Sequence, residues 1–134
     1  MKTAKRRNFT LIEVMAVMMI LVSLAAVATV VVSNIMDNSK ISTAKTQIGE
    51  LNSAVEVYRM GVGDYPEQLE DLIENPGSDN WKGPYLNKSA IPADPWQQPY
   101  IYICPGERFA FDIISYGSDK SEGGEGSAAD LSNH

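Results

Sequence analysis

The chain has 134 residues and carries 17 acidic side chains against 11 basic ones, which gives a formal net charge of −6. Lys2, Lys5, Arg6 and Arg7 supply +4 at the start, so the remainder of the chain sums to −10. An acidic surface of this kind repels phosphates and argues against a nucleic-acid-binding protein, and the length allows one small domain.

The N-terminus joins this basic patch to a long apolar segment. No residue from Val14 to Val32 is charged, and a helix of that length crosses the roughly 30 Å hydrocarbon core of a bilayer. Glu13 lies at the edge of the segment, where an ionised carboxylate needs a partner that the same helix does not offer nearby. Three interpretations are open: a cleaved secretory signal, a plain signal anchor, or a leader that is removed while the apolar helix stays.

The residues that follow the short basic leader resemble the processing site of type IV prepilins; they are Phe9-Thr10-Leu11-Ile12-Glu13-Val14-Met15. In that family a dedicated peptidase cuts before the Phe on the cytoplasmic side and methylates the new amine, and the apolar helix is retained. The resemblance therefore implies a leader over residues 1–8, cleavage and N-methylation at Asn8 and Phe9, and a transmembrane and filament-core segment over residues 9–33.

The pattern beyond Asp37 predicts that the membrane helix continues into water. Apolar residues recur there at spacings of three and four, which places them on one face of a helix. They are Ile41, Ala44, Ile48, Leu51, Val55 and Tyr58. No proline occurs before Pro66, and Gly61 and Gly63 provide a stop. We therefore predict one helix from about Phe9 to Met60, which docks a head domain through this apolar stripe.

The rest of the chain predicts a small α+β head. Pro66 opens a short helix, and the stretch from Ser78 to Pro99 contains four prolines, too many for a regular element. We expect three aromatic residues to pin this loop onto the core: Trp81, Tyr85 and Trp96. Tyr100–Cys104 and Phe109–Tyr116 are predicted strands, joined by a hairpin turn at Pro105-Gly106-Glu107.

The tail from Gly117 is polar and glycine-rich, a composition compatible with a disordered end. It also holds four acids: Asp119, Glu122, Glu125 and Asp130. Carboxylate and carbonyl oxygens are the ligands that Ca²⁺ takes. The spacing departs from an EF-hand because Gly123 occupies the fifth position and no helix is predicted on either side. The residues therefore leave two interpretations open, a Ca²⁺-binding loop or a solvated acidic loop.

Residue counts limit the chemistry. Cys104 is the only cysteine, which excludes an intrachain disulfide, and we expect it to be a small apolar filler beside a strand. His134 is the only histidine, and no nucleophile or phosphate-loop motif is present. The sequence predicts that the protein is not an enzyme.

Motifs of the head extend the resemblance and narrow it to the major pseudopilins of the type II secretion system. The resemblance covers the chain from Phe9 to about Leu131. Its motifs are Gly83-Pro84-Tyr85-Leu86, Asp94-Pro95-Trp96, Pro99-Tyr100-Ile101-Tyr102, Pro105-Gly106-Glu107, Ile114-Ser115-Tyr116-Gly117, Glu122-Gly123-Gly124-Glu125-Gly126 and Ala129-Asp130. The family usually has Gly where this chain has Asn8, and Pro where it has Ser33.

This resemblance implies a pilin-like fold and a structural role. Subunits would pack through their N-terminal helices into a helical periplasmic filament that drives protein secretion across the outer membrane. Glu13 would meet the amine of Phe9 in a neighbouring subunit. One Ca²⁺ per subunit would be held by Asp119 and Asp130, with the carbonyl of Tyr116 as a further ligand. Glu122 and Glu125 are weaker candidates.

Localisation and partners follow from the same resemblance and from the charge asymmetry. A basic start and an acidic remainder favour a cytoplasmic N-terminus and an acidic part outside. The resemblance implies that the chain passes once through the inner membrane and that residues 34–134 lie in the periplasm. The implied partners are further copies of the chain, minor pseudopilins, the inner-membrane assembly platform and the prepilin peptidase. Two alternatives remain: a monomeric membrane-anchored Ca²⁺-binding module, and a minor type IV pilin of an adhesion or DNA-uptake system.

Overall fold

A computed structural model describes residues 9–134; the predicted leader, with Asn8, lies outside the described residues. One α-helix, α1 (Leu11–Val62), precedes a short 3₁₀ helix at Leu69–Leu72. Strands β1 (Ile101–Ile103) and β2 (Asp112–Ser115) follow. The chain ends with two 3₁₀ turns and a third strand; they are Gly117–Asp119, Gly126–Ala128 and β3 (Leu131–Ser132). Of the described residues, those from Phe9 to Met36 and those from Asp37 to His134 belong to separate compact units, and each is described by itself.

In the first unit, α1 exposes apolar side chains on all sides. No residue from Phe9 to Met36 is buried, and Ile12, Met19 and Val22 are each more than two-thirds exposed. By length and composition α1 can cross a membrane. An apolar surface of this extent is incompatible with lasting exposure to water, so lipid or protein must cover it.

In the second unit, one face of α1 is buried and forms one side of a hydrophobic core. The buried residues on this face are Ala44, Ile48, Leu51, Ala54, Val55 and Tyr58. All of these except Ala44 pack with Leu69, Leu72, Leu86, Tyr100, Phe111 and Ile113 from the rest of the head. The predicted helix and its apolar stripe are therefore confirmed, although α1 begins and ends two residues later than expected.

The proline-rich segment between Ser78 and Pro99 contains no helix or strand, as predicted. Backbone and side-chain hydrogen bonds fix it to the 3₁₀ helix at Leu69–Leu72, the short helix predicted after Pro66. The Trp81 indole N–H donates to the carbonyl of Asp71 at 2.8 Å, and the amide of Tyr85 donates to the carbonyl of Leu72 at 2.7 Å. Trp96 is buried at the far end of the segment. All three aromatic residues thus anchor this loop.

The sheet is antiparallel in the order β1-β2-β3. Ile101 pairs with Ile114, and Ser115 pairs with Leu131. The hairpin formed by β1 and β2 is confirmed, with shorter strands than the sequence predicted. The expectation of a disordered tail is wrong, because residues 117–132 form two 3₁₀ turns and strand β3.

The hairpin turn corrects the prediction for Cys104. The thiol is exposed at the end of β1 rather than packed as a filler, and its Sγ donates weakly to the carbonyl of Ala110 at 3.6 Å. The turn is held instead by Asp112, whose carboxylate accepts the amide of Glu107 at 3.0 Å.

Residues 133 and 134 tie the end of the chain to the sheet and to α1. The Asn133 side chain accepts the amide of Ile113 at 2.9 Å and donates to the Asn52 side chain of α1 at 2.9 Å. The ring of His134 stacks on Phe109 with centroids 3.9 Å apart, and its Nε2 lies 2.5 Å from Oδ1 of Asp112. These side-chain contacts hold the two residues that follow strand β3 against the sheet and α1.

Acid should weaken the contacts that Asp112 makes with Glu107 and His134. The backbone amide of Glu107 and the ring of His134 hold the pKa of Asp112 below its ordinary value of 3.8. A lowered pKa in the folded state stabilises the protein above the ordinary pKa, and this contribution is lost as the pH falls through the folded value. At pH 6, we expect the wild-type chain to exceed Asp112→Asn in unfolding free energy by about 1.5 kcal/mol, the size of a hydrogen bond to a charged group.

Urea unfolding of the full chain in detergent, followed at several pH values, measures this difference. The difference should shrink as the pH is lowered from 5 to below 3. A difference that stays constant over that range would show that ionisation of Asp112 does not stabilise the fold.

Candidate functional site

Two regions carry the side chains that the sequence singled out: the start of α1 and the loop between β2 and β3. At the start of α1, Phe9 is 80% exposed and the helix begins at Leu11. The cleavage site between Asn8 and Phe9 lies half outside the described residues. The structure therefore places Phe9 but leaves the Asn8–Phe9 junction a prediction from sequence.

Glu13 does have hydrogen-bond partners in its own chain, contrary to the expectation from sequence. Its Oε2 accepts the amide of Thr10 at 2.9 Å and the hydroxyl of Thr10 at 3.0 Å. In return the amide of Glu13 donates to Oγ1 of Thr10 at 3.3 Å. A Thr followed three residues later by Glu is the sequence signature of a capping box at a helix start, and this signal could have identified Thr10.

The capping box has an electrostatic consequence. It aims the carboxylate of Glu13 at the N-terminal end of α1, where the helix dipole favours a negative charge. Within residues 9–134, no Lys, Arg or His side chain forms an ion pair with it. The carboxylate is thus hydrogen-bonded at the edge of an apolar segment, and residues 9–134 offer it no cationic side chain.

The loop between β2 and β3, residues 116–130, is folded back on itself. Its first turn, Gly117–Asp119, packs against its second, Gly126–Ala128. Gly117 has a φ of +70°, and a Cβ there would lie 2.7 Å from the carbonyl oxygen of Ser127 and 3.0 Å from that of Ala129. Only glycine fits this close approach of the two ends of the loop.

The two predicted metal-ligating carboxylates are exposed and organise the loop backbone. Oδ1 of Asp119 accepts the amide of Ser121 at 3.2 Å, and Oδ2 of Asp130 accepts the amide of Gly123 at 2.9 Å. Tyr116, the third predicted ligand, caps the first turn with φ −79° and ψ 6°. All three therefore belong to one compact loop.

The donor set fits a hard cation in kind. No group of three or more His, Cys, Asp and Glu side chains suited to a metal occurs in the part of the chain that the structure describes. A cation here would depend on two carboxylates together with backbone carbonyl oxygens, which Ca²⁺ accepts readily. Glu122 and Glu125 are exposed on the same loop, and within the described residues the only hydrogen bond of either is the one that the Glu125 carbonyl accepts from the amide of Ala128 at 3.1 Å.

A buried acid that the sequence analysis did not select lies beneath this loop. Asp94 is only 2% exposed, and its Oδ1 accepts the amides of Trp96 at 3.0 Å and Gln98 at 2.8 Å. Its Oδ2 accepts the hydroxyl of Ser115, the last residue of β2, at 2.6 Å. The only sequence signal was the turn-forming Asp94-Pro95 pair, which does not reveal a partner 21 residues away.

Comparisons with known proteins agree with this arrangement. A family model described as type II secretion system protein G matches residues 31–134. A second model, the prokaryotic N-terminal methylation motif, matches residues 4–29 and so covers the leader junction and the start of α1.

Individual relatives span nearly the whole chain. The type II secretion system core protein G of Pseudomonas aeruginosa is 38% identical over 99% of this chain and 98% of its own length. That of Vibrio cholerae is 36% identical over 98% and 94%. The crystal structure of the major pseudopilin from the type 2 secretion system of enterohaemorrhagic Escherichia coli superposes with a TM-score of 0.59 at 25% identity, covering 73% of this chain and 89% of that one. The chain therefore belongs to the type II secretion system protein G family, the major pseudopilins.

Proposed function

We propose that this protein is a structural subunit of a type II secretion pseudopilus, a filament built from many copies that drives proteins across the outer membrane. The observation that carries the proposal is the first unit of α1, which is apolar on every side and has Glu13 at its start. Such a surface suits lipid before assembly and the helices of other copies afterwards.

Charge supports the orientation. Four basic residues precede the apolar segment, and the remainder of the chain has a net charge of −10 after the +4 of the leader is removed from −6. This asymmetry retains the N-terminus in the cytoplasm and exports the head to the periplasm. We propose that a prepilin peptidase acts on the cytoplasmic side, and that an inner-membrane platform and minor pseudopilins take part in assembly. A minor adhesion pilin is disfavoured, because the matching head model is that of protein G.

Glu13 supplies the proposed assembly contact. Cleavage before Phe9 creates an amine, and that amine in a neighbouring copy would be the cation that the Glu13 carboxylate lacks among residues 9–134 of its own chain. The capping box holds the carboxylate toward the helix end, where such an amine arrives. In an apolar surrounding, the attraction between the two charges offsets the desolvation cost that each bears.

We further propose that the loop at residues 116–130 binds one Ca²⁺. Asp119, Asp130 and the carbonyl of Tyr116 would hold the ion, whose charge would offset the repulsion between the acids of the loop. The folded turns and the glycine contact at Gly117 support this proposal, because they bring the two ends of the loop together.

Leader processing is tested by the mass of the mature chain. We expect intact-mass and peptide mass spectrometry of protein from a secreting host to find Phe9 as first residue with one added methyl group. Asn8→Gly restores the residue that the family usually carries and should give the same product at least as completely. A chain that still begins at Met1 would show that the peptidase does not act, and would favour a plain membrane anchor.

The assembly contact is tested by Glu13→Gln. Glutamine preserves a capping box but removes the charge, so the amine of Phe9 is left unpaired, at a cost of about 3–5 kcal/mol for a buried ion. We expect this variant to stay in the membrane fraction at wild-type levels and to form no filaments by electron microscopy.

Two further variants separate charge from capping. Glu13→Asp retains the charge with a shorter reach and should assemble in part, whereas Glu13→Ala should fail as Glu13→Gln does. Normal filaments from Glu13→Gln would refute the ion pair and leave Glu13 with a capping role alone.

Calcium binding is tested by thermal unfolding of the full chain in detergent with Ca²⁺ or with EDTA. An ion that binds only the folded state stabilises it by about 2.7 kcal/mol at a hundredfold excess over its Kd. Asp119→Ala combined with Asp130→Ala should abolish this response. Glu67→Ala with Glu70→Ala removes the same charge elsewhere on the head and should retain it. Equal unfolding temperatures of the wild-type chain in both conditions would disprove the site.

A further inference from the structure

Beneath the carboxylate loop, three residues form a continuous chain of hydrogen bonds from the core to the loop backbone. The buried carboxylate of Asp94 accepts the hydroxyl of Ser115 at 2.6 Å. The oxygen of that hydroxyl in turn accepts the amide of Gly117 at 3.3 Å. Ser115 is 1% exposed and Asp94 2% exposed, so water does not compete for either bond.

The direction of each bond follows from the donors and acceptors involved. Both oxygens of Asp94 act as acceptors: Oδ2 accepts the hydroxyl of Ser115, and Oδ1 already accepts the amides of Trp96 and Gln98. Ser115 must therefore direct its single hydrogen toward Asp94, and its lone pairs remain for Gly117. A neutral partner at position 94 would remove this constraint on the hydroxyl.

The bond to Gly117 also orients the carbonyl of Tyr116. Both groups belong to the same planar trans peptide unit, in which the N–H and the C=O point in opposite directions. An amide held inward by Ser115 therefore turns the Tyr116 carbonyl away from the core. On its other side, a Cβ at Gly117 would lie 2.7 Å from the carbonyl oxygen of Ser127 and 3.0 Å from that of Ala129, the residue before Asp130. Gly117 thus fixes the position of the two ends of the loop relative to each other.

We propose that Ser115, oriented by Asp94, is a positioning residue for the calcium loop: it presets the Tyr116 carbonyl and the turn that bears Asp119 before any ion binds. This inference rests on the proposed Ca²⁺ site. Asp94 and Ser115 do not touch the ion; they lower the cost of ordering the residues that do.

The test measures the metal-free loop and the metal affinity separately, on the full chain in detergent. In EDTA, hydrogen exchange of the Gly117 amide is followed by NMR with ¹⁵N-glycine labelling. Ca²⁺ affinity is measured by titration calorimetry. For Ser115→Ala we expect the Gly117 amide to lose roughly tenfold or more of its protection, and the Kd for Ca²⁺ to rise by a similar factor, as removal of one hydrogen bond predicts.

Ile113→Val is the matched control. Ile113 is fully buried in the same strand, so its truncation weakens the fold without touching the hydrogen-bond chain. This variant should retain both Gly117 protection relative to its global stability and the Ca²⁺ affinity. Asp94→Asn provides a second route, because its amide would donate to Ser115 and turn the hydroxyl; we expect the same two losses in smaller measure.

Three results would overturn the inference, and they differ in what else they affect. Wild-type Gly117 protection and Ca²⁺ affinity in Ser115→Ala or Asp94→Asn would refute the positioning role alone. A loss of affinity in Ile113→Val as large as that in Ser115→Ala would reduce the effect to general stability. A wild-type chain that takes up no Ca²⁺ would remove the proposed metal site together with the inference.

Discussion

The head depends on one interaction, the burial of a single face of α1 between Ala44 and Tyr58. The sheet in this protein has three strands of two to four residues, too little backbone pairing to persist alone. Its inner residues, with the loop and the 3₁₀ helix, acquire stability because they cover Ile48, Leu51 and Val55. A hydrogen bond also orients the head on the helix: the hydroxyl of Tyr100 donates to the side chain of Gln47 at 2.6 Å. The helix therefore positions the remaining elements of the head.

The two parts of α1 have surfaces that suit different surroundings. Its first unit is apolar all round and has no buried residue, and its second has one buried stripe. This change of pattern along an uninterrupted element separates the part that suits lipid or other helices from the part that carries a domain. The amphipathic half keeps its own polar surface, including the pairing of Glu50 with Lys88 at 2.6 Å. Such exposed pairs contribute little to stability, and the division between the halves follows from apolar side chains.

Sequence reasoning succeeded where the signal was local and periodic. Spacings of three and four predicted α1 and its stripe, and the prolines from Pro84 to Pro99 predicted a loop. It failed where the structure depends on contacts far apart in the chain. Strand β3 has two residues, and its closure depends on Asn133 reaching Asn52, which no local pattern reveals. The role of Asp94 was hidden for the same reason. The capping partner of Glu13 was missed although Thr10 lies three residues before it, which is the spacing of a capping box.

The shortness of the outer strands has a consequence for a protein that must crowd many copies together. An exposed strand edge invites pairing with a neighbour's edge and leads to uncontrolled aggregation. Here β3 blunts one edge of the sheet after two residues, and on the other side β1 is three residues long and lies between Pro99 and Pro105. Neither edge offers a length of free backbone sufficient to recruit a foreign strand. Neighbouring heads are therefore not expected to join through their sheet edges, which leaves contact between copies to side chains and helices.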